Sequence, residues 1–190
     1  MIIVPIICGI LALLTVVYLT SEVLRASGGN AKMLEISSMV QEGARAFMKR
    51  EYTYISMFVV VIFFLLWIPG MFNLGLGLGT ALSFVAGAIA SACAGFIGMG
   101  IATRANCRTA HAAATSGLKG ALSIAISGGA VMGLSVVGVA TIGLCIVYIL
   151  ADGNPNDING YAMGASLVAL FARCGGGIYT KGADMGADLV

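Results

Sequence analysis

The strongest chemical signal in the chain lies in its last twenty residues. Phe171 to Val190 reads Phe-Ala-Arg-Cys-Gly-Gly-Gly-Ile-Tyr-Thr-Lys-Gly-Ala-Asp-Met-Gly-Ala-Asp-Leu-Val, and its ionisable residues are Arg173, Lys181, Asp184 and Asp188 besides the thiol of Cys174 and the phenol of Tyr179. On a helix turning about 100° per residue, with Arg173 at zero, Asp184 falls near 20°, Gly177 near 40°, Asp188 near 60° and Lys181 near 80°. One sector collects all four charges, and the glycine leaves room in front of them. Asp184 and Asp188 stand at i and i+4, where two carboxylates repel unless a cation lies between them. Hard Mg²⁺ suits such a pair, because it takes carboxylate oxygen together with phosphate oxygen and water. Lys181, one turn earlier, offers a compact positive charge to an anionic oxygen. Arg173 lies deepest, about 22 Å from Asp188 along the axis, where an ionisable group in a membrane is costly and marks function. Carboxylates, a metal and a lysine on one helix suit a Mg–phosphate ligand. The rival reading is a plain helix end at a membrane surface, with a snorkelling lysine and solvated aspartates. It leaves Arg173 and the helix-weakening Gly175-Gly176-Gly177 triplet without a reason.

These charges need a scaffold, and composition says of what kind. Of 190 residues 59% are hydrophobic and 9% charged, with mean hydropathy +1.02. Soluble domains average about 25% charged residues, so this chain reads as an all-α integral membrane protein. Disorder would need low hydrophobicity and high net charge. A net charge of +2 is too weak and too scattered to suggest nucleic acid, so no nucleic-acid partner is expected. The five cysteines are odd in number and lie mostly in apolar runs, so they form no disulfide framework.

Charge clusters separate the spans. Ile2 to Ser21 is uncharged and long enough to cross the hydrocarbon core at about 1.5 Å per residue. No Lys or Arg precedes it and no Ala-x-Ala site closes it, so it reads as a retained helix, not a signal peptide. Residues 27–51 are polar, with Ile36, Met39, Val40 and Phe47 at amphipathic helical spacing. Tyr52 to Thr103 carries no charge and is too long for one span; Pro69-Gly70 and Gly75, Gly77 and Gly79 should divide it. Gly87, Ser91 and Gly95, and then Gly129 and Gly133, read as small-residue packing ridges. Residues 104–119 read as a polar loop in which Cys107 and His111 could be a ligand pair, although no third ligand stands nearby in sequence, so His111 is taken as a loop histidine. The approximate helices are 2–24, 54–72, 80–103, 120–150 and 160–190, about five transmembrane helices in one transmembrane domain, with a turn-rich loop at 152–159. The first loop holds five Lys and Arg counting Arg25, the third holds three, and the second and fourth hold none. The positive-inside rule then places loops 27–51 and 104–119 and the end of the fifth helix in the cytoplasm, with the N-terminus outside.

The segment from Arg173 to Val190 resembles the signature of membrane-bound, ion-pumping inorganic pyrophosphatases. Gln41-Glu42-Gly43-Ala44-Arg45-Ala46-Phe47 with Arg50-Glu51-Tyr52, and Arg104-Ala105-Asn106-Cys107-Arg108-Thr109-Ala110, are similar to the same family. Gly182 and Met185 stand where the family usually has alanine and valine. The resemblance implies a two-ring bundle of about sixteen helices acting as a homodimer in the cell membrane, of which this chain would be the N-terminal part. It implies hydrolysis of Mg-pyrophosphate to two phosphates, coupled to moving H⁺ or Na⁺ out of the cytoplasm. Asp184 and Asp188 resemble Mg²⁺–pyrophosphate ligands, Lys181 a pyrophosphate-contacting lysine, and Arg173 the arginine that couples hydrolysis to the ion gate. No catalytic water-activating carboxylate is expected within these residues, so the chain alone should be inactive. The alternative is a non-enzymatic multi-pass transporter or channel subunit whose charged fifth helix lines a permeation path. A transporter should show two related halves with broken helices, and no internal repeat is visible.

Overall fold

A computed structural model describes residues 2–72 and 76–189; the expected turn at Gly75 lies outside them. The described residues form helices and turns with no strand. They comprise α1 (Ile3–Arg25), α2 (Ala31–Trp67), a 3₁₀ turn (Ile68–Phe72), α3 (Leu78–Leu150) and α4 (Pro155–Asp188). Each α-helix carries a stretch long and apolar enough to cross a membrane. Large apolar side chains such as Leu14 (61% exposed) and Leu65 (62%) face outward, as lipid requires and water would penalise. The protein is a multi-pass membrane protein.

Local chemistry sets the helix ends. Asn30 starts α2 by accepting the Met33 N–H at Oδ1 (2.9 Å), an N-cap. The α-helical part of α2 ends at Trp67, just before Pro69, whose ring nitrogen has no proton to donate. At 73 residues α3 would be about 110 Å long if straight, far more than one bilayer. It is interrupted at Gly117 (φ 69°, ψ −166°), a conformation that glycine adopts without a Cβ penalty. The two arms, 78–116 and 118–150, are the third and fourth apolar helices. Residues 104–116, read above as a loop, therefore continue the helix, because Ala-rich sequence with Arg104 and Arg108 favours it. The helix α4 also begins earlier than read, at Pro155. Asn154 accepts the Asn156 N–H at 3.1 Å, Pro155 occupies the first turn and Asp157 follows in it. All three are helix-start signals.

The chain divides into two units, Met1–Ala46 with Cys93–Cys145 and Phe47–Ala92 with Ile146–Val190. In the first, Val16 and Val23 of α1 pack with Ile101, Ala105 and Val131 of α3. The arms of α3 run antiparallel here. A methyl at Gly128 would lie 3.0 Å from Ala105 Cβ, and one at Gly98 2.5 Å from Met132 Cγ. Gly129 and Gly133, read as a packing ridge, instead face open space; the arm presents Gly128 and Val131 inward.

In the second unit the expected role of Gly87 holds. A Cβ there would collide with the Tyr161 carbonyl, and one at Gly164 with the Phe84 carbonyl; one at Gly160 would be 2.5 Å from the Thr80 carbonyl. Such contact suits lipid, where apolar burial separates helices little from their surroundings and close backbone packing supplies the association. Thr80 donates its hydroxyl proton to Asp157 Oδ1 at 2.9 Å, joining the first turns of α3 and α4.

Candidate functional site

The four charged residues, Arg173 to Asp188, all lie within α4, which is helical from Pro155 through Asp188. The angular reading therefore applies to the folded chain. Gly160, Gly164, Val168, Phe171, Gly175 and Tyr179 fall between about 140° and 240° on the wheel that puts Arg173 at zero. These are the residues through which α4 meets its neighbours within the unit. Gly160 and Gly164 meet α3, and Val168 is buried with Ile55 and Ala88. Phe171 stacks on Phe58 at a centroid separation of 4.9 Å, and Tyr179 on Phe47 at 5.2 Å. The charged sector, at about 0–80°, points the other way. Arg173, Lys181, Asp184 and Asp188 are all exposed.

The glycine triplet serves both faces. Gly175 lies against α2, where a methyl would be 2.7 Å from Glu51 Oε1. Gly176 and Gly177 face open space, so the helix is bare in front of the charges. Thr180 donates its hydroxyl to the carbonyls of Gly176 (2.9 Å) and Gly177 (3.0 Å), holding this weak stretch helical.

Glu51 has no role assigned to it by the sequence, where it stands only within the stretch Arg50-Glu51-Tyr52. Its Oε1 is sealed from solvent against α4 with no hydrogen-bond partner. A buried oxygen in that state costs about 1–3 kcal/mol, so it calls for a proton, a water or a further donor. The clues in the sequence are its place in that family-like stretch and its position as the last charge before the long uncharged run. Nearby, Tyr52 donates its hydroxyl to the Ala92 carbonyl at 2.9 Å, fixing α2 against α3 at this level.

A divalent metal fits the donor chemistry of α4 in part. Asp184 and Asp188 supply hard oxygens on one exposed face. Among the described residues, no group of three or more His, Cys, Asp or Glu converges on a metal position. Two carboxylates leave most of an octahedral shell to water, phosphate or other protein groups.

Comparison with known proteins gives a consistent picture. The family model for inorganic H⁺ pyrophosphatase matches residues 10–190. A K⁺-insensitive pyrophosphate-energized proton pump of Methanosarcina mazei is 47% identical over 182 residues, 96% of this chain and 26% of that protein. A protein of Clostridium tetani, provisionally named a K⁺-stimulated pyrophosphate-energized sodium pump, is 48% identical over 185 residues, 97% of this chain and 26% of that protein. A second K⁺-insensitive proton pump, from Moorella thermoacetica, is 44% identical over 188 residues, 96% of this chain and 27% of that protein. The chain spans about a quarter of the length of these curated relatives.

Proposed function

The chain belongs to the inorganic H⁺ pyrophosphatase family, and from that premise we propose that the whole protein hydrolyses Mg-pyrophosphate to two phosphates and uses the reaction to move H⁺ or Na⁺ out of the cytoplasm. The observation that carries this reading is the division of α4 into two faces. One side packs on α2 and α3; the other presents an arginine, a lysine and two aspartates, all exposed. A transporter or channel subunit is not favoured, since the relatives are named as pyrophosphate-energized pumps.

In this proposal Asp184 and Asp188 hold Mg²⁺ through their carboxylate oxygens, and the metal supplies neutralising charge to phosphate oxygens. Lys181 meets a phosphate oxygen from the same face. Arg173 lies about 12 Å further along the axis than Lys181, too far for both to grip one phosphate easily, and is assigned to coupling. Charge stabilisation in phosphoryl transfer needs groups converging from several directions. The water-activating carboxylates are therefore placed on helices of the whole protein beyond these residues, in a two-ring bundle working as a homodimer. Vesicles carrying the whole protein, given pyrophosphate and Mg²⁺, should release phosphate and accumulate H⁺ or Na⁺ together. Release without ion uptake, or neither, would overturn the proposal.

The same reading sets the orientation in the cell membrane. Residues 27–51, the α3 bend around Gly117 and the end of α4 are assigned to the cytoplasm, and the N-terminus to the outside, on the loop charge asymmetry. Thr115 is exposed beside that bend. In a background lacking native cysteines, Thr115→Cys should be protected from a membrane-impermeant thiol reagent in intact cells and labelled once the membrane is opened. Labelling in intact cells would reverse the orientation.

A further inference from the structure

The turn between α1 and α2 brings Met33 of α2 close to the stretch of α3 that carries Cys107 and His111, three side chains with soft or borderline donor atoms. Gly29 holds φ +91°, and its lack of a side chain lets Met33 and His111 close in on its backbone. A Cβ built there would lie 2.5 Å from Met33 Sδ and 3.3 Å from His111 Nδ1. Thioether and imidazole nitrogen thus converge on one point from α2 and α3, no further apart than those two lengths combined. Cys107 stands one turn before His111 on α3, and its Sγ is 3.9 Å from the Cβ position of the adjacent Gly28. Met33 and Cys107 also line one cavity of about 230 Å³, with Ser37, Thr103 and Asn106. Each pair within the trio therefore shares a void, a turn or a helix face. All three side chains are half-buried.

The framework around them is braced. Asn30 Oδ1 accepts the Met33 N–H at 2.9 Å. Arg108 donates from Nε to the Ala26 carbonyl at 3.0 Å and from Nη1 to the Arg104 carbonyl at 2.7 Å, tying the turn to α3. The Cys107 thiol makes only a long contact to the Arg104 carbonyl, 3.6 Å, so the sulfur is available to another partner.

We propose that Met33, Cys107 and His111 form a binding site for a soft monovalent metal ion of the Cu⁺ class at the α1–α2 turn. Ligand chemistry selects the metal. Thiolate and thioether sulfur favour Cu⁺, imidazole accepts it, and Mg²⁺ or Ca²⁺ would require oxygen donors that the trio lacks. A metal bridging one sulfur and one nitrogen spans at most roughly 4.4 Å between donors, and roughly 3.8 Å when a third ligand makes the arrangement trigonal, on bond lengths of about 2.3 and 2.1 Å. The two donors beside Gly29 lie close enough for that span to be reached, and the three rotatable bonds of Met33 allow the adjustment. Binding exchanges the Cys107 thiol proton for the metal, and that proton goes to solvent.

Ag⁺, a redox-inert probe of the same class, tests the site by titration of the whole protein in lipid nanodiscs with excess glutathione competing for silver at isolated thiols. The native protein should retain one more Ag⁺ per chain than C107S. The double variant Met33→Leu with His111→Gln keeps the thiol and the packing volume, and its affinity at this site should fall about tenfold or more. M33L alone, nearly isosteric, should show part of that loss and guards against misfolding of the double variant. Equal Ag⁺ retention by native protein and C107S would overturn the proposal. So would a double variant that holds silver as tightly as native protein, since Cys107 would then act as a lone thiol.

Discussion

Replacing Asp184 and Asp188 together with alanine should lower pyrophosphate hydrolysis by the whole protein by at least about 10²–10³-fold, the cost of removing one preorganised charge-stabilising group elsewhere. The fold should survive. Both side chains are exposed on the face of α4 opposite its packing stripe, and substitutions at such positions usually change stability by about 0.5 kcal/mol or less. Loss of activity and loss of structure are thus separable. The measurement is phosphate release by purified protein, beside a thermal melt of the same sample. Unimpaired hydrolysis in the double variant would remove the basis for the functional reading. Each single variant should lose activity as well, because neither carboxylate alone balances a divalent cation against the charges of pyrophosphate. Lys181→Ala is expected to act differently, weakening substrate binding more than turnover.

Arg173→Lys should lower ion transport more than hydrolysis. The substitution keeps the positive charge and removes the planar fork of donors that a guanidinium provides. One charge-assisted hydrogen bond is worth about 1.5 kcal/mol or more, so the ions moved per phosphate released should fall roughly tenfold. Both quantities must be read in the same vesicles. A variant that loses transport and hydrolysis in step, keeping the native ratio, would argue against a coupling role. Arg173 lies two residues before Gly175, where α4 meets Glu51 of α2 with an unsatisfied oxygen. The arginine and that contact lie at nearly the same level of the helix on opposite faces, so a change in the packing of α4 there would also move Arg173.

The sequence by itself determined the kind of protein, the sector of charges on α4 and most of the spans. Each of these follows from local periodicity or composition. Residues at i, i+4 and i+7 share a helix face whatever surrounds it, and an uncharged run of the right length crosses a bilayer. Tertiary structure decided what depends on partners distant along the chain. It showed that Gly128, not Gly129 or Gly133, meets the opposing arm of α3, because a one-residue step turns a side chain by about 100°. It carried helix through Arg104–Ser116, where polar residues suggested a loop, since a helix leaving a membrane stays helical until a residue such as Gly117 breaks it. It placed Glu51 against Gly175, a pairing across more than a hundred residues with no local signature. It also brought Met33 of α2 and His111 of α3 to the same glycine, Gly29, a meeting that linear spacing could not show. Local order is written in the nearest few residues; which faces meet is settled only when the helices close on one another and each contact excludes the alternatives.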